Sequence, residues 1–318
     1  MILVTGSAGY IGSEICSNFK KLKIKHIGID NLKYSYSTNI VNKRNFQKCC
    51  ISDEKKIKKL IRKFNITSVV HTAAYAYVVD AEINKKKYYD NNILKTKKFF
   101  EILKKNKINN IIFLSSSNVY TENNNTKIFH EKNKTVPKNY YGKTKIIIEK
   151  YLIKKKFSNL KILRLFNVIG MTKKFKPKNF GKFKFQRLIF KMFYNEKKNK
   201  PIIINLIKKK SQIIFPTRDF IDIRDLNKLI LKIIRSFKVI NKSEVYNVGS
   251  GKSISLEQVF KVFNKNVNFK TKIKFNEINK NEYINTRCSI NKITKVYKWK
   301  PIINIATSIN SYKNRLII

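Results

Sequence analysis

The stretch MILVTGSAGYIG, residues 1–12, decides the fold class of this chain. Its apolar start is followed by Gly6, Gly9 and Gly12 at a constant spacing, and then by apolar residues at helical spacing. Glycine suits a turn that takes positive φ and a backbone that closely approaches a pyrophosphate. The order strand, tight turn, helix therefore predicts a dinucleotide whose phosphates sit on free N–H groups at a helix N-terminus.

An acidic residue closes the second predicted strand, residues 26–29. This residue, Asp30, follows the glycine turn by about 20 residues, the separation at which a carboxylate accepts hydrogen bonds from the adenosine ribose. A carboxylate there repels a 2′-phosphate, so the sequence predicts NAD rather than NADP as the cofactor.

Strands alternate with helices along the first half of the chain. The further elements predicted are strands at 46–51, 68–71 and 111–114, and helices at 54–64 and at about 89–105. This alternation predicts an α/β fold with a doubly wound parallel sheet of the Rossmann type, and a ligand at the carboxyl ends of the strands. Ala73 and Ala74 follow the fourth strand, where small side chains would let the backbone lie close to a cofactor.

The composition fits a globular protein without a membrane segment. The chain has 318 residues, of which 42% are hydrophobic, and no apolar run approaches the roughly 18 residues that a membrane helix needs. Because the first strand is predicted to begin at residue 2, no signal peptide fits before it, and a cytoplasmic protein is expected. The cysteines lack C-x-x-C spacing, which predicts free thiols rather than disulfides or a zinc site.

The formal net charge of +51 is high enough to suggest a nucleic acid or an anionic surface as partner. The lysines are, however, spread along the whole chain and accompanied by many Asn and Ile residues, so A/T-rich codon usage is the simpler explanation. The sequence contains no zinc-finger, helix-turn-helix or RNA-binding aromatic motif. No specific nucleic-acid partner is therefore predicted.

A candidate acid–base pair lies beyond the fifth predicted strand. Tyr141 and Lys145 are four residues apart and share one face of a predicted helix. An ammonium beside a tyrosine stabilises the phenolate and lowers the tyrosine pKa from about 10, which makes a usable base. A serine from the run 115–117 can bridge the same substrate oxygen. An ordinary half-buried tyrosine and a solvated lysine would explain the pair alone, but not its combination with the glycine turn and the serine run.

These motifs together resemble the extended short-chain dehydrogenase/reductases, and within them the UDP-glucose 4-epimerases. The resemblance extends over nearly the whole chain and rests on TGSAGYIG (5–12), IDNL (29–32), VVHTAA (69–74), YYDNN (88–92), SSSNVY (115–120), YYGKTK (140–145), LRLFNVIG (163–170), RDFIDIRDL (218–226), YNVGSG (246–251) and KWKP (298–301). It implies an NAD-binding Rossmann domain at residues 1–167 and a smaller α/β substrate lobe at residues 168–318 that returns some segments to the Rossmann domain. It also implies a homodimer.

The resemblance implies roles for individual residues. Ser116, Tyr141 and Lys145 correspond to the catalytic serine, the base and its lysine partner. The cofactor positions, which also include Tyr141 and Lys145, are Gly6, Gly9, Tyr10, Ile11, Gly12, Asp30, Asn31, Cys50, Ile51, Ala73, Ala74 and Asn92. The positions that hold the nucleotide sugar are Ser116, Asn167, Arg218 and Thr286.

The implied activity is NAD-dependent 4-epimerisation of a UDP-hexose through a 4-keto intermediate, with the glucose/galactose pair as substrates and the N-acetylhexosamine pair as a further option. A UDP-glucuronate decarboxylase is the alternative within the family, since Leu165 suits it. A 4,6-dehydratase is disfavoured because Ser117 and Asn118 stand where dehydratases carry Asp-Glu. From another class, a non-catalytic nucleotide-sensing Rossmann protein would keep the glycine turn without needing the serine, tyrosine and lysine.

Several positions depart from the family pattern, among them Leu165, which replaces an aromatic residue, and Asp222, which replaces a histidine. Cys50 stands where an acid usually contacts adenine, and Ala76 stands where epimerases carry a lysine near the nicotinamide ribose. The segment Asn279-Lys280-Asn281-Glu282 replaces an R-x-G-D-like segment that carries a nucleotide-binding arginine. The base of the nucleotide is therefore left open.

A further position concerns the size of the sugar. Counting back from Trp299, Thr286 stands where restrictive epimerases carry a bulky tyrosine. The small side chain predicts room for a 2-acetamido group, and its hydroxyl can hydrogen-bond the amide. A slip of one residue in the alignment would put Asn285 or Arg287 at this position instead.

Overall fold

The computed structural model describes residues 1–121, 128–177, 187–209, 212–267, 272–277 and 283–317. In the first half, strands alternate with helices in the order β1 (Ile2–Thr5), α1 (Tyr10–Lys21), β2 (His26–Asp30), β3 (Phe46–Lys48), α2 (Glu54–Lys63), β4 (Ser68–His71), α3 (Val78–Ile83), α4 (Lys85–Tyr88), α5 (Thr96–Lys105), β5 (Asn110–Ser116), α6 (Tyr140–Lys154) and β6 (Asn159–Leu165). The later elements are β7 (Asn167–Ile169), α7 (Leu188–Lys197), β8 (Ile202–Lys209), β9 (Gln212–Ile214), β10 (Thr217–Asp222), α8 (Ile223–Ser236), β11 (Glu244–Val248), β12 (Ser253–Ser255), α9 (Leu256–Val267), β13 (Ile273–Glu277), α10 (Asn291–Tyr297) and α11 (Ile305–Asn310).

The central sheet has seven strands in the order β11-β6-β5-β4-β1-β2-β3, and all neighbouring pairs are parallel. The chain runs from β1 to β2 and β3 on one side, and then returns through α2 to β4 on the other side of β1. This reversal of direction opens a crevice at the carboxyl ends of the strands. The predicted doubly wound Rossmann fold is confirmed. The predicted domain boundary after residue 167 and the homodimer stay predictions.

The strands bury both of their faces, as in other parallel sheets whose two sides are covered by helices. Within β1, Ile2 and Val4 belong to one hydrophobic core and Leu3 to the other, which follows from the period of two residues in a strand. Phe19 of α1 packs in the first core, and Ile57 of α2 packs in the second. Helices therefore cover both sides of the sheet and leave its carboxyl edge for a ligand.

Two elements differ from their predicted bounds. The third strand ends at Lys48 rather than at residue 51, because the backbone N–H of Asp53 donates to the carbonyl of Cys50 at 3.1 Å and turns the chain into α2. The helix predicted at about 89–105 begins as a π-helix, Tyr89–Lys95, and is α-helical only from Thr96. The wider π-helical turn buries both Asn91 and Asn92, so polar contacts rather than apolar periodicity shape this segment.

Two three-stranded sheets, β12-β10-β7 and β13-β8-β9, lie outside the central sheet. Strand β10 pairs parallel with β7 and antiparallel with β12. A single residue, Phe166, separates β6 from β7, so the chain passes directly from the carboxyl edge of the central sheet into the β10 sheet. Residues of β7 and β10 are thereby brought to the edge where a ligand is expected. No helix in the described ranges combines the length and the apolar character needed to cross a membrane.

Candidate active site

The glycine turn after β1 has no space for a Cβ atom at Gly6 or Gly12. Gly6 has a φ of +66°, and a Cβ there would lie 2.8 Å from the Cα of Ala73. A Cβ on Gly12 would overlap the carbonyl oxygen of Gly6. Gly9 is the N-cap of α1 and has no side chain to occupy the free N–H groups of the first turn. The turn is therefore tightly packed, and no capping side chain occupies the N-terminus of α1, where a phosphate group would bind.

Asp30 closes the turn from the end of β2. Its Oδ2 accepts from the backbone N–H of Ala8 at 3.2 Å, and its Oδ1 accepts from the N–H of Leu32 at 2.8 Å. Burial raises the pKa of this carboxyl, and the two backbone donors oppose that rise. The carboxylate is therefore held in a fixed position between the glycine turn and the loop that follows β2.

An open cleft lies at the carboxyl edge of the central sheet. Most of the residues predicted to bind the cofactor line it, namely Gly6, Gly9, Tyr10, Asp30, Asn31, Cys50, Ile51, Ala73 and Ala74. The structure therefore gathers residues from four separate strand ends around one cleft.

Five residues predicted at the cofactor do not line this cleft, namely Ile11, Gly12, Asn92 and the catalytic candidates Tyr141 and Lys145. Gly12 packs against the turn, and Ile11 packs against the hydrophobic core on the α1 side of the sheet. Asn92 instead holds Tyr75: its Oδ1 accepts from the Tyr75 N–H at 2.9 Å and its Nδ2 donates to the Tyr75 carbonyl at 2.9 Å. Asn92 thus positions the segment after β4, which does line the cleft.

Tyr141 and Ser116 meet because α6 packs directly on the chain that follows β5. The side chain of Asn139 caps α6 by accepting from the N–H of Gly142 at 2.8 Å. A Cβ on Gly142 would overlap the carbonyl oxygen of Asn118, so the glycine permits this close approach. Ser116 Oγ accepts from the backbone N–H of Asn118 at 3.2 Å, and its side chain is hydrogen-bonded to Tyr141.

Burial controls the ionisation of the catalytic candidates. Tyr141 is 8% exposed, and burial raises its pKa to about 12, opposed by the Ser116 hydrogen bond and by the charge of Arg187. Burial lowers the pKa of Lys145 to about 8, and the Lys145 Nζ lies 5.9 Å from the Tyr141 ring centroid. The prediction that the lysine brings the tyrosine pKa below its ordinary value is therefore wrong for this structure, because the sequence does not reveal how deeply both groups are buried.

A buried ion pair lies beneath these residues. Arg164 of β6 donates from Nη2 to Glu149 Oε2 at 2.7 Å and from Nε to both carboxylate oxygens. Ser115 Oγ donates to Glu149 Oε1 at 2.5 Å. The charge of Glu149 in turn opposes the loss of the proton from Lys145. The pair links β5, α6 and β6 below the catalytic candidates.

The candidate substrate residues gather at β10. Asn167 Nδ2 donates to the carbonyl of Asp219 at 3.1 Å, and Arg218 Nη1 donates to the carbonyls of Thr217 and Ile284 at 2.9 and 3.1 Å. Thr286 is 5% exposed, and its Oγ1 accepts from the N–H of Asp219 at 3.3 Å. Three of the four predicted substrate residues, all except Ser116 on β5, are thus brought together on one strand and its neighbours. The predicted segment Asn279-Lys280-Asn281-Glu282 lies outside the described residues.

Two site residues were not found from the sequence. Arg187 lines the cleft and places its guanidinium Cζ 4.8 Å from the ring centroid of Tyr10. It precedes α7 in a lysine-rich segment, where the sequence does not distinguish a ligand-binding cation from the other positively charged residues. Glu149 was detectable, because it follows Lys145 by four residues and therefore shares the helix face of Tyr141 and Lys145.

The NAD dependent epimerase/dehydratase family matches residues 2–249 of the chain. This protein belongs to that family. Membership confirms the predicted family and, at the level of the family, NAD as the cofactor. The glycine turn, Asp30 and the paired Ser116 and Tyr141 all lie within the matched part of this family member.

Individual relatives match over the full length of the family member. A Methanocaldococcus jannaschii protein, provisionally named as a UDP-glucose 4-epimerase, is 29% identical over 324 residues, which cover 99% of this chain and 97% of that protein. The structure of the UDP-Glc/GlcNAc 4-epimerase of Campylobacter jejuni has a TM-score of 0.81 and 25% identity, and the match covers 98% of each chain. The UDP-glucose-4-epimerase of Stenotrophomonas maltophila, solved with NAD and formylated UDP-arabinopyranose, has a TM-score of 0.90 over 98% of this chain and 96% of that chain. Its 19% identity supports a shared fold.

Proposed function

We propose that this protein is an NAD-dependent 4-epimerase of UDP-hexoses. The observation that carries the proposal is the hydrogen bond between Ser116 and Tyr141 beside the buried ammonium of Lys145. Tyr141 packs in one aromatic cluster with Tyr75, which lines the cleft of the glycine turn. A proton-transfer group is thus adjacent to a dinucleotide cleft. A nucleotide sensor without catalysis would need the cleft alone.

The cleft fits NAD by three features of its own residues. Gly6 and Gly9 line the cleft without side chains, Asp30 offers a fixed carboxylate for ribose hydroxyls, and Ala73 and Ala74 add only small side chains to the lining. When bound, NAD supplies the oxidation of the sugar carbon and its later reduction. The protein's own task is therefore to hold the sugar and to move one proton.

Tyr141 is the residue proposed to take the proton from the 4-hydroxyl, with Ser116 bridging the same oxygen. A general base of this kind contributes typically ~10²–10⁴ in rate. Because burial raises the pKa of Tyr141, the phenolate depends on the hydrogen bond from Ser116 and on nearby cations. Lys145 is held by the carbonyl of Leu114 at 2.8 Å, which fixes its ammonium beside the tyrosine ring.

Asn167 and Arg218 are proposed to hold the diphosphate of the nucleotide sugar. Both side chains lie at β10 and are fixed by hydrogen bonds to backbone carbonyls. A guanidinium suits a diphosphate because its donors match two oxygens at once. With the diphosphate anchored, the sugar can present either face to the same catalytic residues, and such positioning supplies a large part of a rate advantage.

The proposed substrates include the 2-acetamido sugars besides glucose and galactose. Thr286 is small, and it lies against β10 next to the two proposed diphosphate ligands. The similarity to the Campylobacter jejuni UDP-Glc/GlcNAc 4-epimerase agrees with this wider range. The uracil base is proposed from the same relatives.

Mass spectrometry of ligands released from the purified protein, followed by incubation with UDP-galactose, tests the proposal. We expect released NAD and the appearance of UDP-glucose without an added reductant. Ligand binding without turnover would support a nucleotide sensor instead. Release of CO₂ from UDP-glucuronate, without isomerisation of UDP-galactose, would support a decarboxylase.

A further inference from the structure

Few charged side chains line the cleft among the described residues. Among the described residues that line it, Asp30 is the single acid and Arg187 the single cation. Ala76, which also lines the cleft, contributes no charge. Of these described lining residues, Arg187 is therefore the cation that can meet the negative charges of a bound diphosphate, besides the N–H groups of the backbone.

The position of Arg187 is fixed by two tyrosines. Its guanidinium Cζ lies 4.8 Å from the ring centroid of Tyr10, and it is hydrogen-bonded to the side chain of Tyr77. Tyr10 is the first residue of α1, a helix of 12 residues whose N-terminus faces the cleft. The guanidinium therefore packs on the side chain of the first residue of α1 and lines the same cleft as Gly9 and Tyr10, although it comes from a distant part of the chain.

We propose that Arg187 is a diphosphate-binding residue of this cleft, which clamps the ligand against the N-terminus of α1. The inference rests on the proposed function, because it needs a ligand with a diphosphate. A guanidinium and a helix N-terminus are both suited to phosphate oxygens, the first through its paired donors and the second through its free N–H groups. Arg187 thereby joins the segment before α7 to the nucleotide-binding turn.

The diphosphate can belong to the dinucleotide or to the nucleotide sugar, and titrations separate the two. Calorimetric titration uses four probes on ligand-free protein: ADP and UDP, each paired with its nucleoside, adenosine and uridine. We expect Arg187→Gln to weaken the binding of at least one of the two diphosphates by about tenfold or more, because charge-assisted hydrogen bonds are lost. The matching nucleoside should bind as it does to the wild type, because it has no phosphate.

Two further variants separate the role of the paired donors from that of charge alone. Arg187→Lys preserves the charge but not the paired donors, and we expect its affinity to lie between those of the wild type and Arg187→Gln. Arg235→Gln removes an exposed arginine at the end of α8 and should leave all four affinities unchanged. Circular dichroism and the thermal midpoint of each variant check that it is folded.

The pattern of affinity losses for the diphosphates and the nucleosides shows whether Arg187 binds a diphosphate. A loss confined to ADP assigns Arg187 to the dinucleotide, and a loss confined to UDP assigns it to the nucleotide sugar. Unchanged diphosphate affinities, or equal losses for diphosphate and nucleoside, would overturn the inference and leave Arg187 as a packing residue on Tyr10. If the wild type binds neither diphosphate, the proposed function fails together with it.

Discussion

The buried ammonium of Lys145 donates a hydrogen bond to the backbone carbonyl of Leu114, with an Nζ–O distance of 2.8 Å. Leu114 lies two residues before Ser116 on β5, and Lys145 lies one helical turn after Tyr141 on α6. The bond therefore ties the strand that carries the serine to the helix that carries the tyrosine. Positioning of the acid–base pair depends on this buried contact as much as on the side chains that react.

The pH dependence of activity should report the Ser116 contact. The Ser116 hydrogen bond lowers the pKa of Tyr141 against the effect of burial, which brings it to about 12. Because the tyrosine acts after losing its proton, Ser116→Ala should raise the tyrosine pKa and move the rising limb of kcat to higher pH. A pH series of kcat for both proteins measures the shift. Ser117→Ala is the control and should leave the limb in place; an unchanged limb in Ser116→Ala would contradict the assignment.

Asp30 should make the protein prefer NAD⁺ over NADP⁺. Its carboxylate is fixed by the N–H groups of Ala8 and Leu32, and a fixed negative charge repels a 2′-phosphate. We expect tighter binding of NAD⁺ in the wild type and a smaller difference between the two cofactors in Asp30→Asn. Asp53→Asn, which removes a charge at the N-cap of α2 and keeps a capping side chain, is the control. Equal or tighter binding of NADP⁺ by the wild type would refute this prediction.

The ion pair between Glu149 and Arg164 should matter for stability. Glu149→Gln leaves a buried guanidinium without its counter-charge, and such changes cost about 3–5 kcal/mol in the free energy of unfolding. Urea denaturation of the wild type and the variant gives that difference. Glu54→Gln, which removes the partner of Lys58 on the surface of α2, should change the free energy of unfolding very little. Similar small losses in both variants would show that the buried pair is not needed.

Thr286→Tyr should exclude the larger sugars. We expect the ratio of kcat/KM for UDP-N-acetylgalactosamine to that for UDP-galactose to fall by about tenfold or more, since a pocket discriminates a single methylene by ~1–3 kcal/mol. Thr286→Ser keeps a small side chain with a hydroxyl and should preserve the ratio. The prediction is refuted if the wild type rejects the acetamido sugar, or if the tyrosine leaves the ratio unchanged.

The fold and the cofactor cleft were largely predictable from the sequence. The glycine spacing, Asp30 at the end of β2 and the alternating strands and helices are local patterns, and local patterns survive folding. The π-helix at Tyr89–Lys95 was not predictable in this way, because buried amide contacts of Asn92 with Tyr75 shape that turn. Neither contact has a periodic signature.

The electrostatics of the site were not predictable from spacing. Tyr141 and Lys145 share a helix face as expected, but their pKa values follow from burial, which spacing does not report. Arg187 comes from a segment far along the chain and reaches Tyr10 only through the tertiary fold. In a chain with 70 lysines and arginines, only the structure distinguishes this cation from the solvated ones.

Incubating the protein with UDP-galactose that carries deuterium at C4 tests reversible oxidation and reduction at C4 with Tyr141 as the base. We expect UDP-glucose that retains the deuterium at C4, with no net formation of NADH. Turnover should fall by ~10²–10⁴ in Tyr141→Phe and stay near that of the wild type in Tyr140→Phe, which changes the neighbouring hydroxyl. Loss of the deuterium to solvent, absence of UDP-glucose, or full turnover by Tyr141→Phe would contradict the account.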